Sequence, residues 1–141
     1  MARSSRGVAF GDFDNDGDVD ILINDMDDPP TLLRADLRNG YHCLKVRTLG
    51  TRSNRSGIGA RVRVTSGEHS QSDEVRSGGS YLSQNDLRLH FGMGSATRAD
   101  QVEIRWPSGH IDVLRDVETD QLIWVREGVG IVNKLRLPTK G

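Results

Sequence analysis

Gly11-Asp12-Phe13-Asp14-Asn15-Asp16-Gly17-Asp18-Val19-Asp20-Ile21-Leu22-Ile23 is the stretch that decides how this chain folds. Aspartates occupy every second position from 12 to 20, and an apolar run follows without a break. Five carboxylates so close together repel one another unless a counter-charge sits among them, and a hard cation supplies one. The alternation turns Asp12, Asp14 and Asp16 inward on a tightly coiled loop. Gly17 permits the sharp turn, Asp18 offers its carbonyl oxygen, and Asp20 closes the cage. An all-oxygen donor set of this kind suits Ca²⁺, which takes about 6–8 oxygens in flexible geometry, better than Mg²⁺ with its stricter octahedron.

The first half of the loop follows the EF-hand pattern and the second half departs from it. An EF-hand needs a bidentate Glu at loop position 12 and a helix on either side. Counting from Asp12, that position is Ile23, and Ile21-Leu22-Ile23 reads as a buried strand. The stretch is therefore a loop feeding a strand. The blander alternative is an acidic surface loop that holds no ion.

Outward from the loop, the pattern stays β throughout. Residues 7–10 lead in, 20–24 leave, and Asp25-Met26-Asp27-Asp28-Pro29-Pro30 is a turn in which two prolines remove two backbone donors. Thr31–Arg34 is a short return strand. This hairpin-sized unit, residues 1–36, is too small to bury a core alone, and its open strand edges invite pairing with a second copy. Asn39-Gly40 is a tight-turn signal. Residues 37–128 then alternate: Leu44 and Val46, then Ala60, Val62 and Val64, then Leu87, Leu89 and Phe91, then Val102, Ile104 and Trp106 point one way. Short strands are also expected at 74–76, 111–114 and 122–125. Strands roughly 10–15 residues apart with Gly, Ser and Pro between them predict an all-β, antiparallel sandwich or barrel. The tail, 129–141, is weakly patterned, and its end is expected to be disordered.

Composition narrows the function. The chain has 141 residues, enough for one domain with a small appendage. No apolar run approaches a membrane span, and no signal-peptide core follows Met1-Ala2-Arg3, so an export signal, if used, is not in this chain. Cys43 is the only cysteine, which excludes an internal disulfide and suits a packed small hydrophobe. Residues 1–36 carry nine acids against Arg3, Arg6 and Arg34, whereas residues 37–141 have a balance of +5. The later basic residues are dispersed and alternate with apolar ones, as on solvated strand faces, which argues against nucleic acid. The acidic head is expected to pack against the basic body. No nucleophile elbow, catalytic histidine motif or phosphate loop is present, and carboxylate-held Ca²⁺ is structural rather than catalytic; the chain reads as a non-enzyme. His90 alternates with core positions and is expected to be exposed, with no second histidine at zinc-ligand spacing.

Two stretches resemble known families. Phe10–Asp20 resembles the calcium loop of FG-GAP/VCBS repeats, the blades of integrin-type β-propellers. Ser53–Val62, Gly78–Gln84, Leu89–Gly94 and Val102–Gly109 together resemble the ASPIC/UnbV domain, found after such blades in the cartilage acidic protein family and its bacterial relatives. The resemblance implies a partial propeller-blade hairpin preceding a β-sandwich. It also implies Ca²⁺ held by the side chains of Asp12, Asp14, Asp16 and Asp20 and the carbonyl of Asp18. An extracellular or cell-surface setting and a role in adhesion or protein interaction follow from it, with the chain as the C-terminal end of a longer protein. A carbohydrate-binding module is the alternative, and a Ca²⁺-stabilised part of a biosynthetic or hydrolytic enzyme is the third reading; Asn54 and Arg55 on one polar loop, and Tyr81 and Gln84 on another, are the candidate ligand-binding residues. Asn54-Arg55-Ser56 is also an N-glycosylation sequon.

Overall fold

The computed structural model describes residues 4–37 and 40–138. The Asn39-Gly40 turn involves a residue outside that range, as does the tail beyond 138. The first sheet is antiparallel and three-stranded: β1 (Ser5–Gly11), β2 (Asp20–Asp25) and β3 (Thr31–Leu33), in that order. The aspartate loop joins β1 to β2, and the apolar run after it is strand β2, paired Ala9 to Leu22 and Phe10 to Ile21.

The rest forms two four-stranded sheets packed face to face. The strands are β4 (His42–Leu49), β5 (Arg61–Ser66), β6 (His69–Glu74), β7 (Leu89–Gly94), β8 (Arg98–Arg105), β9 (Ile111–Glu118), β10 (Gln121–Arg126) and β11 (Gly130–Arg136). One sheet runs β11-β10-β4-β7 and the other β6-β5-β8-β9. The core lies between them, where Leu44, Val46, Ile123 and Val125 of the first sheet meet Val62, Val64, Val102 and Ile104 of the second. Full burial of each such side chain is worth about 1.5–3 kcal/mol, so the period-2 alternation is what selects these faces. The core cluster draws nothing from residues 4–37.

The sandwich expected from the alternation is present, and it does not close into a barrel. Several details differ from the sequence reading. β10 pairs with β4 in parallel, Ile123 opposite Val46, so that sheet is mixed. The strand expected at 74–76 lies earlier, at β6, an edge strand exposed along almost its whole length with no apolar alternation to betray it. Gly67 at φ 58° makes the tight connection from β5. The weakly patterned tail contains a complete strand, β11, paired with β10 along its length; of its side chains Ile131 packs against the core, and those from Val132 on are exposed. His90 is half-buried rather than exposed. Trp106 is 3% exposed, and Cys43 is buried.

The expectation of open edges on the N-terminal sheet needs correction at β1. Its outer edge is occupied by the segment 80–86 of the sandwich: the Val8 amide donates to Ser80 Oγ (3.3 Å), the Phe10 amide donates to Asn85 Oδ1 (3.0 Å), and the Phe10 carbonyl accepts from the Asp86 amide (3.0 Å). Residues 8 and 10 are the alternate positions that an antiparallel edge presents.

Candidate metal centre

The aspartate loop is organised by Asp12 and Asp20, both 2% exposed. Asp12 Oδ1 accepts the Asp16 amide (3.1 Å), and Oδ2 accepts the Gly17 amide (2.9 Å). This coils the chain around its carboxylate. Asn15 (φ 58°) and Gly17 (φ 92°) adopt the left-handed backbone that the coil requires. Asp20 Oδ2 accepts the Phe13 amide (3.0 Å) and Oδ1 the Ala35 amide (2.9 Å), which ties the loop to the strand after it and to the segment following β3. Asp14 is turned the same way, with Oδ2 at 3.2 Å from Arg34 Nε. One carboxylate oxygen each from Asp12, Asp14 and Asp20 lie within 4.8 Å of one another.

Of the five expected ligands, the structure gathers these three. Asp16 Oδ1 accepts the Asp18 amide (2.8 Å), and Asp18 Oδ2 accepts the Leu37 amide (2.6 Å), so each uses a carboxylate oxygen to shape the loop. The donor chemistry fits a hard cation: three hard oxygens converge, and backbone carbonyls or water can complete a shell around Ca²⁺.

Two basic side chains of the sandwich enter this loop, and alternation alone does not single them out. Lys45, in the middle of β4, is 1% exposed. Its Nζ donates to Asp12 Oδ2 (2.9 Å) and to Asn15 Oδ1 (3.3 Å). Arg88 donates to Asn15 Oδ1 (2.6 Å) and to the Asp12 carbonyl (3.0 Å), and pairs with Asp86. The acidic head thus packs on the basic body through these two side chains. In Leu44-Lys45-Val46 the lysine occupies what reads as a solvated strand face. The only hint of burial is the surplus of acid in the head.

The candidate ligand-binding residues have separate roles. Asn54 closes its own turn, donating from Nδ2 to the Ile58 carbonyl (2.7 Å) and accepting the Ile58 amide at Oδ1 (2.8 Å). Arg55 is exposed on the same loop, and Tyr81 (63% exposed) and Gln84 lie on the segment that borders β1. Trp106 is a core residue, as the alternation of Val102, Ile104 and Trp106 predicts, and its Nε1 donates to Asp112 (2.7 Å).

Sequence reasoning also missed Glu127. Its Oε2 accepts the successive amides of Thr51, Arg52 and Ser53, each at 2.8 Å, and its Oε1 accepts the hydroxyls of Ser53 (3.0 Å) and Ser108. Burial alone would raise its pKa. The bonds from Ser108 and from the three amides outweigh burial and hold it at about 2. A single Glu after an apolar strand carries no motif by which to find it.

A family model described as ASPIC and UnbV matches residues 50–132, more than half of the chain. The match covers β5 to β10, the first three residues of β11 and the Glu127 cluster, and begins after the aspartate loop and β4. A search of curated proteins returned no match.

Proposed function

The chain belongs to the ASPIC and UnbV family, and we propose that it is a non-enzymatic, Ca²⁺-binding β module for adhesion or protein interaction in an extracellular setting. In this reading the N-terminal sheet is an FG-GAP/VCBS-like blade fragment whose cation is structural. The observation that carries it is the convergence of Asp12, Asp14 and Asp20 in a loop already coiled around Asp12. Asp12, Asp14 and Asp20 hold the ion by side-chain oxygens, with Asp16 and the carbonyl of Asp18 as the remaining donors. When bound, Ca²⁺ supplies the positive charge that relieves repulsion among the carboxylates; the sandwich presents loops to a partner.

Calorimetric titration of Ca²⁺ into chelator-treated protein, with a thermal melt of each form, tests the reading. Saturable binding and a raised melting temperature are expected. Asp14→Ala is the informative variant, because Asp14 is the most exposed of the three and contributes least to the loop's own hydrogen bonds. It should lose at least tenfold in affinity (about 1.4 kcal/mol) while its melt in chelator stays near wild type. Unchanged affinity in Asp14→Ala would remove the site. Exposed Tyr81 favours the carbohydrate reading as the second choice; a glycan array with wild type and Tyr81→Ala decides it, and absence of any sugar signal would discard it.

A further inference from the structure

A lysine buried to 1% exposure on the outer face of a strand is unusual, because transferring an ammonium out of water is costly unless its charge is answered. On β4 the inward side chains Leu44 and Val46 fill the sandwich core, while Lys45 points the other way and is covered by the aspartate loop. Its ammonium lies 2.9 Å from Asp12 Oδ2. That same oxygen accepts the Gly17 amide that coils the loop, and Asp12 belongs to the convergent trio. Lys45 therefore stands where a metal's charge would act. It belongs to the body of the protein rather than to the loop.

We infer that Lys45 is the resident cation of the aspartate loop. It holds Asp12, and with it the N-terminal sheet, on the sandwich when no metal is bound, and it sets the loop's affinity for a divalent ion by competing for Asp12. The first half stands on the geometry alone, and the second rests on the calcium reading given above. Two positive charges at one carboxylate repel. Removing the ammonium therefore tightens the ion's hold on Asp12, although it loosens the metal-free loop. A purely structural lysine has the opposite signature on affinity, since damaging a scaffold weakens every ligand it presents.

The test compares wild type with Lys45→Met in two measurements. In chelator, hydrogen exchange reads the Asp16 and Gly17 amides, which donate to Asp12; they should be protected in wild type and open in Lys45→Met. In the second, calorimetry should find Ca²⁺ bound about tenfold more tightly by Lys45→Met, with protection of those two amides restored by the ion. Unchanged exchange in the variant, or weaker Ca²⁺ binding, would overturn the inference. If Ca²⁺ binds neither protein, the calcium reading falls, and the exchange measurement still decides whether Lys45 is the tether. Should Lys45→Met not fold, Lys45→Gln keeps a neutral donor on the same strand and is held to the same two outcomes. Lys45→Arg, which keeps the charge, should resemble wild type in both.

Discussion

The carboxylate of Glu127 takes three successive amides and two hydroxyls, an arrangement that binds an anion in many loops and is filled here by the chain's own side chain. It fastens the 51–53 loop and Ser108 to the end of β10. Its folded pKa, about 2, lies below the unfolded value of 4.5. A carboxylate depressed by folding stabilises the native state above its unfolded pKa, and that contribution disappears as pH falls from about 4.5 towards 2. Glu127→Gln replaces one accepting oxygen with a donor facing other donors. It should cost roughly 2 kcal/mol at neutral pH and flatten the acid limb of a stability–pH curve between pH 4.5 and 2. An unaltered acid limb in the variant would show that other carboxylates govern it. Neither Glu127 nor Lys45 could be found by pattern. Each is a single charged residue whose partners come from distant chain positions, and alternation reports a strand's faces without reporting what covers the outer one.

At the scale of elements, legibility followed the apolar alternation. β5, β8 and β10 present apolar side chains to the core and could be read directly; β6 and β11 are edge strands whose side chains are mostly exposed, β11 giving the core only Ile131, and their ladder bonds leave no trace in composition. The aspartate loop was legible as a loop entering a strand, since no helix period follows Asp20. The fate of its sheet was not. The β1 edge is blocked by Asn85 and the 80–86 segment, whereas Leu22 and Leu32, about half exposed, share one face of the sheet. They line an open cleft of about 370 Å³ with Phe13 and Arg88. Asn85→Ala removes the acceptor for the Phe10 amide and exposes an edge donor. Sedimentation at high concentration should then show more self-association than wild type. Equal behaviour of the two proteins would place any self-association at the exposed face or at β3 instead.

For the whole molecule, the division of labour between core and contacts matters more than the strand count. The two four-stranded sheets hold the core cluster, and residues 4–37 supply none of it. The N-terminal sheet is fastened by polar bonds at Lys45, Arg88, Ser80 and Asn85, and a unit held in this way opens at lower free energy than a packed core. Calcium bound to the loop therefore stabilises that unit first. At a hundredfold excess over its dissociation constant a ligand contributes about 2.7 kcal/mol, and this should appear as slowed exchange across residues 12–25. The amides of Val62 and Ile104, fully buried in the core sheet, are expected to exchange only with global opening and should change little. Equal slowing at both places would mean that the sheet and the sandwich open together, with Lys45 and Arg88 sufficient to make one cooperative unit of them.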